Sequence, residues 1–417
     1  MPPSTAPSNA TGGCSATSSW QFDSTNHANI TSGDRSFLVH LPANYDPKTP
    51  HALVVSFHGF KANGKKQELI TGLSEKGLTL NGKGIVAVFP NGQFGPGKNG
   101  NQSIRAWQGA PYSPVRPDIA FTQQMVQQLS DNLCLDSNRF YASGKSNGGG
   151  FTNLLACTPA TASLFAAFAP VSAALYAGAN PTNCSPGRPV PIINFHGLAD
   201  KIIPFDGQAA DRENHATPNI TQYREAWAQR NGCSTSAPAR SHPHTDTTLK
   251  TSDCSAQDNH AVVNGFTVKG LGHSWPGTAG LDGGVTDFNA TTANIDAHQL
   301  VLGAYAHHYG NTATDTAPYS PAHNSQRLSH GSLKLIAPFY FAPLRGAFSI
   351  YIRRSGALSL YLHMHGALLF ARRTFYLYPF GGAFLLCALA RRLSTYLHSH
   401  STAPFLSYKS PLLYTVL

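Results

Sequence analysis

No apolar stretch of this 417-residue chain is long enough to cross a bilayer: the longest, Phe380 to Ala390, covers 11 residues, against the ~20 that a spanning helix needs. A secretory leader is also missing. Met1 is followed by Pro-Pro-Ser-Thr-Ala-Pro-Ser, which has neither a basic stretch nor an apolar one. Acids are absent from Pro318 to Leu417, a segment that carries 10 Lys plus Arg. At the frequency of the preceding residues, about six Asp or Glu would be expected there. The whole chain has 30 Lys plus Arg and 20 Asp plus Glu, so Met1 to Ala317 is balanced at 20 against 20. The net charge of +10 is therefore a property of the last hundred residues alone. The balanced body excludes a basic footprint for nucleic acid or for an anionic membrane.

What is present is a core. Hydrophobic residues make up 41% of the chain, and their runs alternate between strand and helix character. Arg35 to Leu41, His51 to Phe57, Ile85 to Phe89, Arg139 to Ala142, Phe165 to Val171, Val190 to Phe195 and Ala261 to Val268 read as strands. Asp118 to Leu133 carries apolar residues at helical spacing, Gly150 to Cys157 reads as a helix start, and Ala293 to His308 as a last helix. Ile220 to Arg230 reads as a helix capped by Asn219. This order predicts an α/β fold, a mostly parallel sheet with helices on both faces. We divide the chain into a Ser/Thr/Pro-rich segment 1–13, a catalytic domain 14–310 and a basic, acid-free tail 311–417. The tail shows no sustained period, and is expected to be disordered or a product of mistranslation. The competing reading is a basic surface-binding tail.

Six of seven cysteines lie in the body, an even number that fits three disulfides in an oxidising compartment. Six cysteines allow 15 pairings. Locality favours Cys157–Cys184 and Cys233–Cys254, which leaves Cys14–Cys134; the bland reading is six reduced, buried thiols. Asn9, Asn29, Asn101, Asn183, Asn219 and Asn289 each head an Asn-x-Ser/Thr triplet. Cysteines and sequons together predict an exported protein whose leader lies upstream of Met1.

The chemistry is concentrated in Gly144-Lys145-Ser146-Asn147-Gly148, which follows a strand and precedes a helix. That context makes Gly-x-Ser-x-Gly a nucleophile elbow, the signature of the α/β-hydrolase fold. An elbow serine is inert without a base and an orienting acid, which in this fold follow in the order Ser, Asp, His. Asp200 falls just past the strand Val190 to Phe195, and His273 in the Gly-rich loop after the last strand. Asp206 and Asp118 compete for the acid role, and His196 and His260 read as ordinary core or surface histidines. The oxyanion would be met by the Asn147 N–H and by the Phe60 N–H in the loop His58-Gly59-Phe60. Nothing in this chemistry calls for a cofactor or a metal.

These motifs, with Trp107-Gln108-Gly109-Ala110-Pro111-Tyr112, Asp118-Ile119-Ala120-Phe121-Thr122, His196-Gly197-Leu198-Ala199-Asp200 and Gly272-His273-Ser274-Trp275-Pro276, resemble the fungal type C feruloyl esterases. Those belong to a wider group of polyhydroxybutyrate-depolymerase-like and acetylxylan esterases. The resemblance runs over residues 14 to 310. It implies a secreted enzyme that takes feruloylated plant cell-wall polysaccharide, arabinoxylan or pectin, as substrate. It places the triad on Ser146, Asp200 and His273. Trp107 and Trp275 would line the acyl pocket, or would serve as plain packing aromatics. Lys145 stands where the family usually has an apolar residue, and Arg116-Pro117 where acids are common. Acetylxylan esterase and polyester depolymerase are the alternative activities, and a catalytically dead carbohydrate-binding protein is the remote one.

Overall fold

The computed structural model describes residues 9–95, 104–113, 116–211, 214–234, 240–241, 247–252, 254 and 262–277, with four short strands between 334 and 368. Two compact units divide the chain, 1–319 and 320–417.

The first unit is built on an 11-stranded sheet. Its main strands are β1 (His27–Ser32), β2 (Arg35–His40), β3 (His51–Phe57), β4 (Lys83–Pro90), β5 (Leu135–Lys145), β6 (Ala167–Val171), β7 (Ile192–Gly197) and β8 (Val263–Val268). They lie in the order β1-β2-β4-β3-β5-β6-β7-β8, with Thr247–Thr251 antiparallel beyond β8. From β4 to β8 every neighbouring pair is parallel, whereas β1 and β2 run antiparallel at one edge. This is the α/β-hydrolase arrangement that the sequence predicts.

The pleat divides the core. On β3, Leu53, Val55 and Phe57 face one way, and Ala52 and Val54 the other, as a two-residue period requires. The first set packs against α2 (Asp118–Asn132), α3 (Asn147–Cys157) and α4 (Ile220–Arg230) through Phe121, Met125, Phe151, Leu155, Tyr223 and Trp227. The second packs against α1 (Gly64–Thr71) through Ile70. Asn219 caps α4, its Oδ1 accepting from the N–H of Thr221 and Gln222. Helix α1, absent from the sequence reading, is polar and begins with a glycine. A Cβ at Gly64 would lie 2.2 Å from the Phe89 carbonyl oxygen, so the helix starts where only glycine lets it approach β4. The expected helix 293–308 lies outside the described residues.

Three disulfides close as expected: Cys14–Cys134, Cys157–Cys184 and Cys233–Cys254. The first joins residues 120 apart, a loop length at which a crosslink restricts the unfolded chain by about 5 kcal/mol. Among the sequons, Asn9, Asn29 and Asn183 are exposed, and Asn101 and Asn289 lie outside the described residues. No helix among the described residues is long and apolar enough to cross a membrane.

In the second unit, Lys334–Leu335, Ile350–Ser355, Ala357–Met364 and Ala367–Leu368 pair antiparallel in that order.

Candidate active site

Strand β5 ends at Lys145, which is buried, and the chain turns sharply at Ser146, with φ 56° and ψ −119°. A non-glycine residue in that region costs on the order of 1–3 kcal/mol and persists only where its surroundings hold it. Three hydrogen bonds do so here. The Ser146 N–H donates to Val171 O at 3.0 Å, and Ser146 O accepts from Gly150 N and Ala174 N, each at 2.9 Å. The glycines on either side are steric necessities. A Cβ at Gly144 would stand 2.4 Å from Gly148 O, and one at Gly148 would stand 2.2 Å from Phe57 O. Helix α3 therefore starts directly at the serine, with Asn147 as its first residue.

Asp200 follows β7 and His273 follows β8, so both leave the same carboxyl edge of the sheet as Ser146. The two loops are stitched together: Ala199 N donates to Leu271 O at 3.0 Å and Leu198 N to Val268 O at 3.0 Å. His273 Nδ1 lies 2.8 Å from Asp200 Oδ2. A carboxylate only accepts, so Nδ1 carries the proton and Nε2 is left as the acceptor, the tautomer that a general base needs. The other oxygen, Asp200 Oδ1, accepts from the N–H of Ile202 and Ile203 at 2.9 Å each. Burial raises the Asp200 pKa, but the hydrogen bond and charge of His273 and the Ile203 N–H together hold it below the usual carboxylate value. Ser172 ties the base loop to the elbow, its Oγ donating to Ser274 O at 2.9 Å from the residue after Val171.

The two carboxylates that compete in sequence stand elsewhere. Asp118 is fully buried in an ion pair with Arg35 at 2.7 Å and accepts the Gln108 N–H at 2.7 Å. Asp206 takes a long hydrogen bond, 3.4 Å, from Asn219 Nδ2.

Phe60 follows β3, in a loop that runs against the elbow; a Cβ on Gly59 would touch the Ser146 Cβ at 3.5 Å. Gly59 O accepts from His58 Nδ1 at 2.7 Å and from Ala62 N at 3.2 Å. Because the peptide is trans and planar, fixing that carbonyl directs the Phe60 N–H to the opposite side.

Trp107 and Trp275, read from the sequence as acyl-pocket lining or as packing aromatics, are both buried, at 0% and 4% exposure. Trp275 joins the cluster of Phe195, Phe266 and Leu271, and Trp107 stacks on Phe151. A different aromatic group gathers beside the loop. Phe60 lies 4.6 Å from Tyr112, Tyr112 lies 6.1 Å from Tyr176, and Tyr176 lies 5.4 Å from His215, by ring centroids. Phe60 and Tyr112 fall in recognisable motifs; Tyr176 and His215 come from distant segments with no local signal. No group of three or more His, Cys, Asp or Glu among the described residues is arranged to hold a metal ion.

Feruloyl esterase B of Piromyces equi is 27% identical over 247 residues, which is 58% of this chain and 42% of that protein. Feruloyl esterase C of Emericella nidulans is 31% identical over 188 residues, 44% of this chain and 61% of its own length. Feruloyl esterase D of Neurospora crassa is 26% identical over 242 residues, 55% and 71%. The chain is a relative of the fungal feruloyl esterases. It spans about two fifths of the Piromyces relative and three fifths of the Emericella one. No protein-family model matches it. Among solved structures, the acetyl xylan esterase from Aspergillus awamori is 16% identical, with 60% of this chain and 94% of that one covered and a TM-score of 0.39.

Two buried histidines make stability pH-dependent. Burial pushes both His58 and His196 down to about 4 from an ordinary 6.5, against the opposing pull of Gly59 O and of Asp200 respectively. Both are neutral when folded and protonate on unfolding, so their contribution is complete above pH 6.5 and is lost as pH falls from there towards 4. The loss is on the order of 3 kcal/mol for each. Urea unfolding between pH 7.5 and 4.5 should show stability falling by up to two protons' worth, and His196→Asn should remove one. An unchanged slope in His196→Asn would show that His196 titrates alike in both states.

Proposed function

We propose that this chain is a secreted serine carboxylesterase that releases ferulate and related hydroxycinnamates from arabinoxylan and pectin through an acyl-enzyme. The observation that carries the reading is the His273–Asp200 pair at the same sheet edge as a strained elbow serine, in a relative of feruloyl esterases. Ser146 Oγ attacks the ester carbonyl while His273 Nε2 takes its proton, and Asp200 stabilises the imidazolium. The oxyanion of the tetrahedral intermediate is met by the N–H groups of Asn147 and Phe60. His273 then returns the proton to the departing sugar hydroxyl, and a water molecule repeats the sequence to free the acid. The aromatic group of Phe60, Tyr112, Tyr176 and His215 favours a flat aromatic acyl group over acetyl, since ring pairs add about 0.5–1.5 kcal/mol beyond area burial.

A hydrolysis panel tests this. Methyl ferulate, caffeate, p-coumarate and sinapate should be cleaved with kcat/KM at least tenfold above that for acetylated xylan. Preference for acetylated xylan would support an acetylxylan esterase, release from polyhydroxybutyrate film a polyester depolymerase, and binding without turnover a dead carbohydrate-binding protein.

A further inference from the structure

Trp107 is in contact with both segments that carry the proposed oxyanion donors. Its indole Nε1–H donates to His58 O at 2.8 Å, one residue before the Gly59–Phe60 peptide. Its main-chain N–H donates to Asn147 Oδ1 at 2.7 Å, and its main-chain carbonyl accepts from Asn147 Nδ2 at 3.2 Å. The carboxamide of Asn147 thus pairs with residue 107 in both directions, as one strand residue pairs with another. All of these groups are buried. The ring is fixed as well, stacked on Phe151 at 5.4 Å and edge-on to Phe57 at 5.1 Å. The following residue is held by Asp118, itself paired with Arg35.

A buried indole N–H and a buried carboxamide need partners, but many partners would satisfy them. What is specific here is that one residue meets both. The separation between the Asn147 N–H and the Phe60 N–H is therefore set through Trp107, and not by β3 and β5 alone. An oxyanion site works by preorganisation, and displacement of about 1 Å removes on the order of 10²-fold in rate.

We infer that Trp107 and the Asn147 carboxamide form a clamp that positions the two oxyanion donors. The inference rests on the esterase reading above. Trp107→Phe keeps an aromatic ring against Phe151 and Phe57 but leaves His58 O without its donor. Asn147→Ala keeps the Asn147 main-chain N–H and the aromatic core but removes both pairings. Each is expected to lower kcat about 10- to 100-fold per active site, counted by the p-nitrophenol burst, with KM within about twofold. The Ki of phenylboronic acid, which forms a tetrahedral adduct on the serine, should rise in parallel. The double variant should lose little more than either single one, because the two act as a unit.

Trp227→Phe is the control. That indole is equally buried and donates to Asn153 Oδ1 at 2.9 Å, further along the same helix α3. It should lower Tm and leave per-site kcat unchanged. Wild-type per-site kcat in both clamp variants, or an equal kcat loss in Trp227→Phe, would overturn the clamp. A wild-type protein with neither burst nor turnover would reject the esterase reading itself, and the clamp with it.

Discussion

Replacing Ser146 with alanine is expected to lower kcat by on the order of 10³-fold or more without unfolding the protein. The elbow exists to present one oxygen. Its cost is a backbone at φ 56°, which alanine must adopt as serine does, so the strained turn and its three supporting hydrogen bonds survive the exchange. The glycines that admit helix α3 to the sheet are untouched. What disappears is the proposed nucleophile, and the residual rate expected is that of a water molecule in the proposed oxyanion site. Three measurements check this together: kcat on methyl ferulate, labelling by a fluorophosphonate, and Tm. Labelling that persists in Ser146→Ala would place the nucleophile elsewhere.

The base and its partner should follow closely. His273→Ala is expected to approach the Ser146→Ala loss, since a serine with no acceptor for its proton is a poor nucleophile. Asp200→Asn should lose somewhat less. It keeps the shape of the side chain and an acceptor for the N–H of Ile202 and Ile203, yet it cannot both keep those bonds and accept from His273 Nδ1. The ring is then free to take the tautomer that cannot act as base. Asp206→Asn should retain activity, and Asp118→Asn should act through stability, because its Arg35 partner is left buried without a counter-charge. Were either of these to reduce per-site kcat more than Asp200→Asn, the acid would be wrongly assigned.

Much of this was legible in the sequence because the relevant signals are local. Strand β3 coincides with the largely apolar segment His51 to Phe57, α4 with a helical period behind an asparagine cap, and the elbow with two glycines flanking a serine. Asp200 and His273 stand just past apolar strands, where this fold places its loops. The illegible parts are those that depend on what lies across the core. Helix α1 carries too few apolar residues to show a period, and its close approach to β4 depends on Gly64 meeting Phe89 across the core. The tryptophan before the Gln108 loop reads as a ring near a pocket. Nothing local says that its edge meets His58 and its backbone meets Asn147, 40 residues away. Tyr112, Tyr176 and His215 are likewise brought together only by the fold.

The loops that carry Ser146, Asp200 and His273 leave β5, β7 and β8, strands that are far apart in sequence and joined through long crossovers. Parallel pairing of this kind forms late and cooperatively, since the entropy of closing each loop is lost before any contact rewards it. A molecule in which β8 has not yet docked already has its elbow, its glycines and its serine, but has no imidazole near them. Under the proposed esterase reading, turnover therefore needs β5, β7 and β8 docked together, and a refolding or damaged population would regain it only when that part of the sheet is complete, whatever circular dichroism it has recovered.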